Sequence, residues 1–93
     1  MEAIRSLLRE KLRVSLRGMR DEDRMAAAWT VACGRAMAER GSVVSYQKGV
    51  VRVEVTDAVW IAQMKALDET LRREMAQIAG LPVAAIHFEL KKR

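Results

Sequence analysis

The sequence predicts a single small α+β domain spanning residues 1–93, ordered α-α-β-β-α-β, with a three-stranded sheet and helices on one of its faces. Three observations carry that expectation. Apolar residues recur at helical spacing in three stretches, two short runs around Lys48-Gly49 alternate apolar with polar, and another alternating run closes the chain. Ninety-three residues suffice for one core but not for two. Hydrophobic content of 51% beside 31% charged residues belongs to a folded domain rather than a disordered one. Trp29, Tyr46, Trp60 and Phe88 are the only aromatics, so Val, Leu, Ala and the six Met must supply most of the packing.

Residues 2–17 form the first predicted helix, with Ile4, Leu7, Leu8, Leu12 and Leu16 at helical spacing. Gly18 breaks that pattern. Asp21-Glu22-Asp23 then places acid where the next helix begins, because exposed N–H groups and the helix dipole favour negative charge there. The second helix is expected from about Glu22 to Glu39, with Met25, Ala28, Trp29, Ala32, Cys33, Ala36 and Met37 as its apolar stripe. Gly34 costs about 1 kcal/mol inside a helix, so it is expected to permit close approach of another backbone, and Gly41 to end the helix.

A hairpin follows. Val44 and Tyr46 alternate with Ser45 and Gln47, Lys48-Gly49 turns, and Val51, Val53 and Val55 alternate with Arg52 and Glu54. Gly49 can take the positive φ of a tight turn, and the alternation implies one buried and one wet sheet face. Asp57 is the expected N-cap of a third helix reaching about Ala79, with Trp60, Met64, Leu67, Leu71, Met75 and Ile78 as its apolar line and Gly80 with Pro82 as its stop. A last strand puts Ile86, Phe88 and Leu90 on one face and His87, Glu89 and Lys91 on the other. Strand, helix and strand in succession make a right-handed crossover as a rule. Either hairpin strand could receive the last one.

The net charge is +5, and its placement matters more than its size. Residues 1–20 hold six basic and two acidic side chains, residues 81–93 hold three basic and one acidic, and the middle nearly cancels. A polyanion is the natural partner of such a surface. Arg5, Arg9, Arg13, Arg17 and Arg20 fall within one sector of a helix turning 100° per residue. Faces of that kind normally mix signs, whereas here Glu10 stands nearly alone among the basic residues. Two readings of the row are open: contact with a phosphate backbone, or a solvated basic helix. Lys91, Lys92 and Arg93 extend the positive field or form a solubilising tail.

Nothing in the chain is arranged for catalysis. His87 beside Glu89 has no Ser, Cys or second base placed near it, and reads as a surface histidine. Cys33 lies between Trp29 and Met37 on the apolar stripe and reads as a buried small hydrophobe. As the only cysteine it forms no internal disulfide, which suits a reducing compartment. A metal site needs three converging ligands and a phosphate loop needs clustered glycines, so no metal and no cofactor are expected. Trp29 and Trp60 take core-facing positions and read as packing rather than base-stacking platforms. No apolar run approaches the roughly 18 residues of a membrane span, and Met1-Glu2-Ala3-Ile4-Arg5 does not open a signal peptide. The expectation is a cytoplasmic protein without membrane contact.

Trp29…Gly34…Met37-Ala38, the hairpin Gly49-x-Val51-x-Val53-x-Val55, Trp60…Met64 and Ile86-x-Phe88, in that order and spacing, resemble the DciA family of bacterial replication proteins. The resemblance covers about residues 25–90. It implies one DciA-like domain similar to the K-homology fold, no enzymatic activity, and a role in assisting loading of the DnaB-type replicative helicase, with affinity for helicase and DNA. Trp29, Gly34 and Trp60 match the family signature as structural residues. Where the family often carries His, a small hydroxyl residue and Pro, this chain has Arg40, Gly41 and Ser42. The glycine-rich clamp loop of K-homology RNA binders is absent, so that binding mode does not carry over. Family members also have a flexible tail beyond the domain that takes part in helicase contact; the resemblance here covers the domain.

The expected function is therefore a non-enzymatic DNA- and protein-binding accessory of DNA replication, with Arg5, Arg9, Arg13, Arg17 and Arg20 on phosphates. The wet sheet face (Arg52, Glu54, His87, Glu89, Lys91) and the outer face of the third helix would be open to a partner such as the helicase. One alternative is a protein-interaction module without nucleic-acid contact, docking its first helix on an acidic partner or pairing strand edges with another copy. Another is a small RNA-associated protein similar to the K-homology fold.

Overall fold

The structure is a computed structural model that describes residues 18–92. The first predicted helix, residues 2–17, lies outside the described residues. The described elements are α1 (Asp21–Cys33), α2 (Arg35–Ala38), β1 (Gly41–Gln47), β2 (Val50–Val55), α3 (Ala58–Ala66), α4 (Asp68–Ala79) and β3 (Ala85–Leu90). The sheet order is β1-β2-β3, with β1 antiparallel and β3 parallel to β2. The expected α+β class and three-stranded sheet are present, and β3 has joined the second hairpin strand.

The central strand organises the core. Val51, Val53 and Val55 are all fully buried beneath the helices, and each such side chain contributes about 1.5–3 kcal/mol by leaving water. Val51 sits between Tyr46 and Ile86 in register, Val53 between Val43 and Phe88, and Val55 between Gly41 and Leu90. Met25, Ala28 and Trp29 of α1, Met64 of α3, and Leu71, Met75, Ile78 and Ala79 of α4 close the core over them. Lys48 (φ 51°) and Gly49 (φ 79°) supply the two positive φ values of a type I′ hairpin turn. The Gly49 carbonyl also accepts from Ala84 N–H at 2.8 Å, fixing the entry of β3.

Two predicted helices are each broken in two. The second stops at Cys33, because Gly34 adopts φ 76°, ψ 166°, outside any helical conformation, before α2 resumes for one turn. The break leaves Ala36 exposed and Met37 only half-buried. The third breaks at Leu67 (φ −104°, ψ 10°), whose N–H reaches back to Met64 C=O at 3.0 Å. Asp68 and Glu69 then open α4 with acid in its first turn, and Asp68 accepts from Arg72 Nε at 2.8 Å. Leu67 therefore leaves the predicted apolar line and is 42% exposed.

The two glycine roles are exchanged relative to expectation. No atom lies within 4 Å of the place a Gly34 Cβ would occupy, so that glycine is there for its backbone angles. Gly41 does not end a helix but opens β1, and a Cβ there would meet Met64 Cε, Trp29 Cζ2 and Val53 Cγ1, each at 3.2 Å. The alternation of β1 is also shifted. A bulge between Val43 and Ser45 sets two residues against one, so Val43 and Tyr46 face the core rather than Val44 and Tyr46. At the far end of β3, Leu90 is 53% exposed.

Two terminators behave as predicted. Asp57 Oδ1 accepts from Trp60 N–H at 3.1 Å as the N-cap of α3, and Gly80 ends α4 in the left-handed region (φ 69°, ψ 30°). Replacing Gly34 by Asn should cost about 1–3 kcal/mol in urea unfolding, since its ψ lies outside the left-handed well that Asn tolerates. Gly80→Asn, within that well, should stay within about 1 kcal/mol. Gly41→Ala should lose about 1–3 kcal/mol by overpacking.

Candidate nucleic-acid and partner interface

Of the arginines expected to hold phosphates, Arg5, Arg9, Arg13 and Arg17 lie outside the described residues. Arg20 is described. It immediately precedes α1 in an extended conformation, its carbonyl accepting from Arg24 N–H at 2.9 Å. Its guanidinium lies 3.5 Å from Asp23 yet its side chain is 79% exposed. Such an exposed pair is worth a few tenths of a kcal/mol, so Arg20 exchanges Asp23 for another anion at little cost. The exposed carboxylates of Asp21, Glu22 and Asp23 follow directly in the sequence.

Arg24, one turn later, plays a different part. Its Nη2 donates to the carbonyl of Ala79, 55 residues away, at the C-terminal end of α4, while Nη1 stands 3.9 Å from Asp21. Only 19% of the side chain is exposed. A cation on the last carbonyls of a helix is favoured by the dipole, so Arg24 clamps α1 to α4 and is not available to a ligand. Sequence reasoning missed this contact. Its only local trace is an arginine set beside the acidic triplet, and nothing in that stretch points to Ala79.

The wet sheet face assembles largely as expected but carries mixed charge. Arg52 Nη2 meets Glu89 Oε1 at 2.7 Å across β2 and β3. His87 is exposed beside Arg52, and Glu54 pairs in register with Glu89. With Ser42 and Ser45 contributed by β1, this face is polar and close to neutral rather than a phosphate track. Lys91 and Lys92 stand exposed at its end. The outer face of α3 is different: Ala58, Val59, Ala62 and Ala66 are all exposed, Val59 at 67%.

The two tryptophans separate. Trp29 is buried, its Nε1 donates to Gly41 C=O at 3.0 Å, and its ring lies 6.3 Å from Phe88 in a tilted pair. Trp60 is only half-buried, with the Arg40 guanidinium 5.8 Å over its ring. Trp29 offers no open face to a base. Cys33 is half-buried, and burial pushes its thiol up to about 12. Among the described residues no group of His, Cys, Asp or Glu gathers that could hold a metal, and no helix is long and apolar enough to cross a membrane.

These features define a small α+β domain whose described surface offers charge, a helix face and strand edges instead of a convergent set of reactive groups. Residues 2–88 match the family model described as Dna[CI] antecedent, DciA, and the chain belongs to the DciA family. That family serves DNA replication and helicase loading, is associated with the replicative helicase DnaB, and is an accessory family rather than a known enzyme family. No curated protein matches the chain.

The raised thiol generates a direct expectation. At pH 8 the folded protein holds Cys33 almost wholly as thiol, whereas an unperturbed cysteine near 8.5 is about one quarter thiolate. Iodoacetamide labelling followed by mass spectrometry should run at least about tenfold slower on the folded protein than in urea. Equal rates would show that Cys33 is not shielded.

Proposed function

We propose that residues 1–93 act as one DciA-like domain, similar to the K-homology fold, that binds DNA and the replicative helicase in the cytoplasm without catalysing a reaction. The observation that carries the DNA reading is charge placement: residues 1–20 hold six basic and two acidic side chains, whereas residues 21–80 nearly cancel. Arg5, Arg9, Arg13, Arg17 and Arg20 contact phosphates, and Lys91 and Lys92 add to the attraction. Binding of this kind is weak, salt-dependent and blind to sequence, because phosphates carry position but no base identity. Arg20's exposed guanidinium and the burial of Trp29 support phosphate contact over base stacking. Helicase contact falls to the apolar outer face of α3 and the polar sheet face.

A fluorescently labelled short DNA tests the first part. Its affinity should fall steeply with salt, and Arg9→Glu with Arg13→Glu should flatten the slope of log K against log salt by about two. Binding indifferent to salt, or untouched by the double reversal, would remove the phosphate contact. Exposed Val59 favours a second reading, in which protein contact alone suffices. Co-precipitation from nuclease-treated lysate separates the two. Helicase recovered without DNA, and lost on Val59→Asp, assigns that contact to α3; recovery that depends on DNA leaves the phosphate contact as the link.

A further inference from the structure

The two edges of the sheet are not alike. β1 carries the bulge between Val43 and Ser45, a device that turns an edge away from further pairing. β3 has neither bulge nor proline and keeps unbroken register with β2 from Ala85 to Leu90. Two bonds identify its inward groups: Ala85 N–H donates to Gly49 C=O at 3.4 Å and Lys91 N–H to Val55 C=O at 2.8 Å. Backbone groups of successive strand residues point to opposite sides, so Ala85, His87, Glu89 and Lys91 are turned to β2. Ile86, Phe88 and Leu90 direct their N–H and C=O outward. Among the described residues no strand lies beyond that edge.

We propose that this edge pairs antiparallel with the same edge of a second copy of the chain, about a two-fold axis at Phe88. Faces must match across such a pair and only outward groups can bond, so allowed registers differ by steps of two residues. The register that overlaps the strands in full sets Phe88 against Phe88, Ile86 against Leu90, and His87 against Glu89 of the second copy. The exposed side chain of Leu90 then covers half-buried Ile86 on the core side. On the wet side, Glu89, already held by Arg52 at 2.7 Å, gains the imidazole of the second copy's His87 as a neighbour. A shift one way sets Glu89 against Glu89, and the other way sets His87 against His87. The strand is therefore complementary to itself in one register, as a two-fold interface requires. If the phosphate reading holds, the dimer also carries two basic segments to one DNA.

Sedimentation equilibrium of the full chain without DNA tests self-pairing independently of that reading. The expected result is a monomer–dimer equilibrium in the micromolar range, reaching twice the 10.5 kDa of the chain. Hydrogen exchange should show the amides of Ile86, Phe88 and Leu90 gaining protection with concentration, while His87 and Glu89 stay protected throughout. Leu90→Pro removes an outward N–H without touching a bond to β2, and should leave a folded monomer. His87→Glu sets carboxylates opposite each other at two symmetric places and should weaken the dimer about five- to thirtyfold; His87→Lys should preserve it. Should Leu90→Pro fail to fold, the His87 pair decides. A monomer at every concentration overturns the proposal. So does a dimer that neither His87→Glu nor Leu90→Pro weakens, or outward amides protected only when another protein is added.

Discussion

The indole of Trp29 and the missing side chain of Gly41 hold the helix layer to the sheet. Trp29 Nε1 donates to the Gly41 carbonyl, and the space a Cβ would fill is taken by Met64, Val53 and the indole itself. A buried indole N–H left without an acceptor would cost about 1–3 kcal/mol, so α1 can sit in few positions over β1. Four elements meet at that point: α1, β1, β2 and α3. Everything the surface displays is referred to this junction.

Several opposite charges of the described surface meet in pairs. Arg52 with Glu89, Arg72 with Asp68, Arg35 with Glu39 and Arg20 with Asp23 are all in contact, and Arg24 is spent on the end of α4. Exposed pairs of this sort add little stability, but they flatten the local potential. The excess positive charge lies at the chain ends, where the first twenty residues carry most of it.

Much of the fold could be read from local signals because local physics generates them. Asp57 as a cap, Lys48-Gly49 as a turn, Gly80 as a stop and the alternating Val51, Val53 and Val55 each depend on neighbours within a few residues. The break at Leu67 was legible too, since Asp68-Glu69 is an acidic helix start of the same kind as Asp21-Glu22-Asp23. A continuous apolar line from Trp60 to Ile78 outweighed it. At the candidate site, charge clustering was readable, whereas the capture of Arg24 and the pairing of Arg52 with Glu89 were not.

By itself the sequence determined the element types, the buried face of the central strand, the family to which the chain belongs, and the uneven distribution of charge. Only the tertiary structure decided which glycine is kept for its angles and which for its lack of volume. It also decided that β3 lies beside β2, that Val43 replaces Val44 on the core face, and that one arginine of the acidic turn closes the end of a helix 55 residues away. The division has a physical cause. Propensity, capping and alternation act over one turn or one pleat, while van der Waals exclusion and long-range hydrogen bonds exist only after distant segments have met.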